Sequence, residues 1–136
     1  MKKACINSYG DSSRFEFSEL ILNTSLASND IKISVKATSI NPIDVMKREG
    51  YGKSIFEKQR KELFPWILGT DVTGTILEIG DKVTRFNIGQ DVWGSSTNPN
   101  RGTYCDVAFF HEDELDLKPT NLSFQEAAAL PYAAIT

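Results

Sequence analysis

The stretch Asp30-Ile-Lys-Ile-Ser-Val-Lys-Ala-Thr-Ser-Ile-Asn-Pro-Ile-Asp44 passes from the pattern of a strand to the start of a helix. Residues 30–37 alternate apolar and polar side chains, which is the period of a half-buried strand. Asn41 is a favoured residue at a helix cap, and Pro42 suits the first helical position. The stretch therefore predicts a strand and then a helix that stops at Gly50.

Other β-branched or aromatic runs are short and are separated by Gly, Asn and Pro, which predicts further strands. These predicted strands span residues 72–79, 91–94, 104–110 and 115–117. A second helix is predicted from the capping box Ser123-Phe-Gln-Glu126 to Pro131. The charged residues 53–62 are predicted to be a water-facing loop or helical turn.

These elements predict a mainly β chain with two or three short helices and a closed or nearly closed barrel. Strands and helices do not alternate along the chain, so the sequence does not predict a parallel nucleotide-binding sheet.

Composition sets limits on the class of protein. With 136 residues the chain has the size of one domain, and 40% hydrophobic with 24% charged residues excludes disorder and a membrane class. A net charge of −3 with dispersed basic residues predicts no nucleic-acid or membrane partner. The two cysteines, Cys5 and Cys105, lack the spacing of a metal knuckle and fit a reduced compartment. The first residues show no signal or transit pattern, so a cytoplasmic protein is expected.

An ordered series of motifs resembles a known family. The series includes Ser39-Ile-Asn-Pro-Ile-Asp44, Gly69-Thr-Asp-Val-Thr-Gly74, Gly89-Gln-Asp-Val-Trp-Gly94 and Ala127-Ala-Ala-Leu-Pro-Tyr132. It resembles the catalytic domain of the zinc-free quinone oxidoreductases of the medium-chain dehydrogenase/reductase superfamily. The long insertion after Gly52 and the ending Leu130-Pro-Tyr-Ala-Ala-Ile-Thr136 are most similar to the reticulon-4-interacting protein subgroup.

The resemblance implies an architecture and a reaction. Residues 1–130 would form a chaperonin-10-like, partly open β-barrel, and residues 131–136 would begin the connection to a Rossmann domain that is absent from this chain. It further implies NADPH as cofactor, a small quinone or enone as substrate, and a full-length enzyme compatible with a homodimer.

The zinc positions of the wider superfamily are changed in this chain. Zinc-dependent relatives carry Cys at the position of Asn41 and Gly-His-Glu at the position of Gly69-Thr-Asp71. Asn and Thr are not usual zinc ligands, and the single histidine, His111, is predicted to be an exposed structural residue after a strand. We therefore predict that the chain holds no zinc, and that glycines 69, 74 and 80 serve bends and close packing rather than a phosphate loop.

Three residues are predicted catalytic by the resemblance, and each also has a structural interpretation. Asn41 caps a helix or places its amide beside the nicotinamide, and the two roles are compatible. Asp44 interacts with the helix dipole or faces the substrate. Tyr51 packs after Gly50 or lines the substrate cleft. Asn41 and Thr136 are the predicted cofactor contacts.

Two functions are compatible with these residues. The first is the substrate-side domain of an NADPH-dependent quinone or enone oxidoreductase, inactive without its nucleotide-binding half. Such substrates delocalise the charge that reduction adds, so hydrogen bonds would replace a metal. The alternative is a free-standing, non-catalytic barrel that acts as a protein-interaction module.

Overall fold

The computed structural model describes residues 1–22 and 25–135, and these residues form seven strands and four α-helices. The strands are β1 (Lys2–Ile6), β2 (Phe15–Glu19), β3 (Asp30–Ala37), β4 (Asp71–Ile79), β5 (Asp91–Ser95), β6 (Val107–His111) and β7 (Leu115–Leu117). The helices are α1 (Pro42–Arg48), α2 (Lys53–Gln59), α3 (Phe124–Ala128) and α4 (Pro131–Ile135). The mainly β class is confirmed, with four short helices where two or three were predicted.

The main sheet has five antiparallel strands in the order β6-β3-β4-β5-β7, and β1 pairs with β2 in a separate hairpin. Since β6 and β7 end the order at opposite edges, the sheet is open. The partly open, chaperonin-10-like form is confirmed, and a closed barrel is wrong. The hairpin joins the rest of the fold through the backbone bridge between Ile6 and Trp66.

The main core lies on one face of this sheet, where the apolar residues of neighbouring strands meet. Ile33 of β3 is fully buried and is paired with Ile76 of β4 and Ala108 of β6. Burying one such branched side chain contributes roughly 1.5–3 kcal/mol. This central pairing fixes the positions of the chain segments that leave β3 and enter β4.

Helix α2 occupies the charged segment that was predicted to be a loop or helical turn. Its Phe56 packs edge-on against Trp66 with ring centroids 5.1 Å apart, and the Arg60 guanidinium lies 4.8 Å from the Trp66 centroid. Because most residues around Phe56 are charged or polar, the sequence pattern did not indicate that its ring packs against Trp66.

Helix α4 begins at Pro131, a residue that the prediction took as the end of the previous helix. Proline both stops one helix and starts another, because its missing N–H costs nothing in a first turn. The connecting role of residues 131–136 stays a prediction.

Two glycines lie where a side chain would collide with a neighbouring backbone. A Cβ atom on Gly74 would lie 2.1 Å from the Ser34 carbonyl oxygen, and one on Gly80 would lie 2.2 Å from that of Ser28. Both glycines permit close packing, as predicted.

Within the described ranges, no helix has the length and apolar character needed to cross a bilayer.

Candidate active site

The start of helix α1 meets the start of strand β4. Gly69 makes this meeting possible, because its φ of +101° lies in the left-handed region and a Cβ atom would lie 2.1 Å from Thr103 Oγ1. The turn at Gly69 delivers Thr70 and Asp71 beneath Asn41. Two motifs that are far apart in sequence therefore form one site.

Asn41 is the N-cap residue of α1, as predicted, with the extended backbone that a cap requires. Its side-chain nitrogen Nδ2 lies 2.9 Å from Asp71 Oδ2, 3.1 Å from Thr70 Oγ1 and 3.1 Å from Ser39 Oγ. An amide nitrogen has only two hydrogens. Three acceptors therefore saturate the donor side of the Asn41 amide within the protein.

Asp71 is completely buried and is the centre of this cluster. Its Oδ2 accepts hydrogen bonds from Asn41 Nδ2 and from the Ser39 hydroxyl, which makes a very short contact. Its Oδ1 accepts the backbone N–H of Tyr132 at 2.8 Å. Ser39 and Tyr132 lie in the quoted motifs but were not predicted as site residues, because a hydroxyl and a backbone N–H reveal their partner only in the folded chain.

Asp44 is also buried, with 2% of its surface exposed. Its Oδ2 accepts the backbone N–H of Asn41 at 2.9 Å, which closes the first turn of α1. Its Oδ1 is buried and has no partner at hydrogen-bond distance among the residues that the structure describes. Loss of water raises the pKa of Asp44, although the Asn41 N–H and the Lys47 charge oppose this effect. Burial thus favours the protonated acid.

Tyr104 lies beside Asp44 and was not predicted from the sequence as a site residue. Its hydroxyl donates to the Ser39 carbonyl oxygen at 3.3 Å. Burial raises the pKa of Tyr104, and the nearby Asp44 carboxyl raises it further. Both residues line a cavity of about 260 Å³ under α1, together with Phe15 and Arg48.

Lys47, one turn after Asp44, is buried between α1 and α2. It is 9% exposed, and its Nζ lies 5.7 Å from the ring centroid of Phe56. Loss of water lowers the pKa of Lys47, while the Asp44 charge raises it. The site therefore carries a cation that the sequence pattern alone did not place inside.

Tyr51 does not join this cluster. Its side chain is 59% exposed, and its backbone N–H donates to the Met46 carbonyl at 2.9 Å. Among the described residues, no hydrogen bond joins the Tyr51 hydroxyl to Asn41 or Asp44. Thr136, the second predicted cofactor contact, lies outside the described residues.

Within residues 1–22 and 25–135, no group of three His, Cys, Asp or Glu side chains is placed to hold a metal ion. His111 ends β6, and its Nδ1 accepts the backbone N–H of Asp113 at 3.2 Å, which is a structural role.

Burial raises the pKa of Cys105 to about 12, so it is a thiol at neutral pH.

Comparison with known protein families assigns the class of the chain. The model of the alcohol dehydrogenase GroES-like domain matches residues 27–133. The chain belongs to the alcohol dehydrogenase GroES-like domain family.

The chain is similar to several named oxidoreductases. The chain is 36% identical to the NAD(P)H oxidoreductase RTN4IP1, mitochondrial, of Dictyostelium discoideum, over 100% of this chain and 38% of that protein. The quinone oxidoreductase of Coxiella burnetii has a TM-score of 0.89 at 31% identity, covering 100% of this chain and 42% of that one. The Escherichia coli quinone oxidoreductase complexed with NADPH has a TM-score of 0.82 at 25% identity. The match covers 95% of this chain and 36% of that one.

These matches confirm the resemblance to quinone oxidoreductases of the medium-chain dehydrogenase/reductase superfamily. The chain spans 38% of the Dictyostelium relative and 42% of the Coxiella structure.

The expectation of a cytoplasmic protein is wrong. The matched relatives from Dictyostelium, cattle, mouse and human are all named mitochondrial. The expectation was based on the residues that open the chain, and these carry no information on targeting when the chain spans about a third of its relatives.

Proposed function

We propose that this chain is the substrate-side domain of an NADPH-dependent quinone or enone oxidoreductase and is inactive without a nucleotide-binding partner domain. One observation carries the proposal: Asn41 and Thr70, 29 residues apart, meet at 3.1 Å. The resemblance assigns metal ligands to these two positions, and here they hold an amide and a hydroxyl. Such groups organise a site by hydrogen bonds and are poor zinc ligands.

The names of the relatives support the same reaction class. The Dictyostelium relative is named an NAD(P)H oxidoreductase, and the Coxiella structure is a quinone oxidoreductase. Quinones and enones spread the negative charge of reduction over a conjugated system. A site of hydrogen bonds without a Lewis acid therefore suits them better than it suits simple alcohols.

Among residues 1–22 and 25–135, the surface around Asn41 is the place we assign to the nicotinamide end of a dinucleotide. Gly74 and Gly80 pack against carbonyl oxygens, so neither belongs to a phosphate cradle. Asn41 is half-exposed, and the preceding Ile40 is 77% exposed, so these two can meet a flat ring. Bound NADPH would supply a hydride, and its phosphates would be held by residues beyond this chain.

Reduction of a quinone or an enone also needs a proton. Asp44 is the acid we assign to this task, because burial raises its pKa and so favours the form that carries a proton. Tyr51 remains proposed as a wall of the substrate cleft, since its exposed ring is accessible from solvent. A mitochondrial location is proposed on the names of the relatives, and a homodimer of the whole enzyme on the family resemblance alone.

The proposal is tested by joining this chain to the nucleotide-binding part of the Dictyostelium relative. The fusion should oxidise NADPH with 1,4-benzoquinone and should leave simple alcohols and NADP⁺ unreacted. The isolated chain should neither bind NADPH in titration calorimetry nor reduce the quinone. A folded, NADPH-binding fusion that is inert toward quinones and enones would refute the proposal.

A further inference from the structure

Three hydrogen-bond donors from three segments meet on the single carboxylate of Asp71. Ser39 comes from the link between β3 and α1, Asn41 from the cap of α1, and Tyr132 from the first turn of α4. Asp71 itself begins β4 and is completely buried. An ionised carboxylate can only accept, so each of these donors is held in one direction.

We propose that Asp71 is the positioning residue of the site, which fixes the orientation of the Asn41 amide and ties the start of α4 to the same anion. The orientation of Asn41 follows from the hydrogen bonds alone, and only its consequence for turnover rests on the proposed function.

The orientation of Asn41 follows from the chemistry of its neighbours. If the amide turned over, its oxygen would face Asp71 Oδ2, and two buried acceptors would lie in contact. Ser39 strengthens the constraint, because its hydroxyl donates to Asp71 and leaves its oxygen to accept from Asn41 Nδ2 at 3.1 Å. The donor chain runs one way, from Asn41 through Ser39 to Asp71.

The link to α4 uses a group that the helix cannot satisfy. The N–H groups of a first helical turn have no carbonyl partner within the helix. Asp71 Oδ1 accepts one of them, the N–H of Tyr132, at 2.8 Å. A displacement of α4 therefore acts on the same carboxylate that holds Asn41.

The 136-residue chain itself provides the first test. Hydrogen exchange of side-chain amides, followed by NMR, should be at least a hundredfold slower for Asn41 than for the exposed Asn87. Equal exchange rates would overturn the proposal, whatever the variants do.

A charge swap provides the second test. In Asp71→Asn, an amide with one accepting oxygen replaces the carboxylate that accepts from three donors. The equilibrium constant for unfolding should therefore rise at least tenfold. Asn41→Asp should do the same, because it places two carboxylates in contact. In the double variant Asn41→Asp/Asp71→Asn the donor and the acceptor are exchanged. Its equilibrium constant for unfolding should therefore be at least tenfold smaller than the two single effects multiplied together would give.

Asp91→Asn is the matched control, since Asp91 is an exposed carboxylate at the start of β5 that accepts from Thr75 Oγ1 at 2.8 Å. It should change the equilibrium constant less than threefold. Additive losses in the double variant, or single losses no larger than that of the control, would overturn the proposal.

Discussion

Nδ2 of Asn41 lies 2.9 Å from Oδ2 of Asp71, although the two residues are 30 positions apart and come from different elements. The pair joins the cap of α1 to the first residue of β4, in the region to which the resemblance assigns a metal. A buried carboxylate with a neutral amide donor holds these segments together. Within this pair the carboxylate accepts and the amide donates, so the orientation of Asn41 depends on Asp71 as its hydrogen-bond acceptor.

Asn41→Asp should destabilise the fold by about 3 kcal/mol at pH 7.5, because it removes the donor to a buried carboxylate and adds a like charge. Urea unfolding at pH 7.5 measures this loss. Asn87→Asp, on an exposed turn, is the control, and an equally stable Asn41→Asp chain would contradict the account.

Asp44 should make the stability of the fold depend on pH. Since the pKa of Asp44 is raised in the folded chain, the folded state holds this proton more tightly than the unfolded chain does. The resulting stabilisation is complete below the ordinary aspartate pKa of about 3.9 and is lost as the pH rises through the raised value.

Asp44→Asn tests this dependence, because an amide oxygen can still accept the Asn41 N–H but cannot ionise. The variant should gain stability relative to the parent chain as the pH rises from 4 to 8, by about 1.4 kcal/mol for each unit by which the pKa is raised. The exposed Asp81→Asn should show no such trend. A constant difference between Asp44→Asn and the parent would show that Asp44 titrates normally.

Lys47→Met should raise the free energy of unfolding by about 1 kcal/mol at pH 7, because it fills the same space without a buried ammonium group. The lowered pKa of Lys47 means that the folded chain binds this proton less tightly, so the gain should shrink as the pH rises toward 10. Lys58→Met, on the exposed side of α2, is the matched control. A loss of stability in Lys47→Met alone would show that the ammonium group stabilises the fold.

The purified chain should contain no stoichiometric zinc, and its melting temperature should be unchanged by EDTA. The reason is the chemistry of Asn41 and Thr70, since neither an amide nitrogen nor a Thr hydroxyl is a usual zinc ligand. Elemental analysis and thermal unfolding with and without the chelator measure this directly. One zinc per chain, or a melting point lowered by EDTA, would contradict it.

The sequence predicted the fold wherever one residue pattern dominated. The alternation in β3 and the capping box at Ser123 each specify local structure without help from distant contacts, and β3, α1 and α3 formed where predicted. Strands β1 and β2 were missed because each has only five residues, most of which are exposed or half-buried. Residues 53–62 were predicted as a loop or helical turn rather than a full helix, because the contacts of α2 with Trp66 are made outside the segment.

The site was predicted only in part for the same reason. Asn41 and Asp44 were identified from their motif, and the structure places them next to each other. The hydrogen bonds from Ser39 and Tyr132 to Asp71 arise only when β4, α1 and α4 meet in space. A backbone N–H, such as that of Tyr132, leaves no trace in a sequence.

The most direct measurement of the central claim is the rate of NADPH oxidation with 1,4-benzoquinone by the fusion to the Dictyostelium nucleotide-binding part. The parent fusion should turn over. The fusion carrying Asn41→Asp/Asp71→Asn should fold and bind NADPH, but it should turn over at least tenfold more slowly, a loss of about 1.4 kcal/mol. The swap keeps the net charge and moves the negative charge from a buried position to the half-exposed position 41, where reduction adds more negative charge. A swapped fusion as fast as the parent, or a folded parent fusion without activity, would contradict the account.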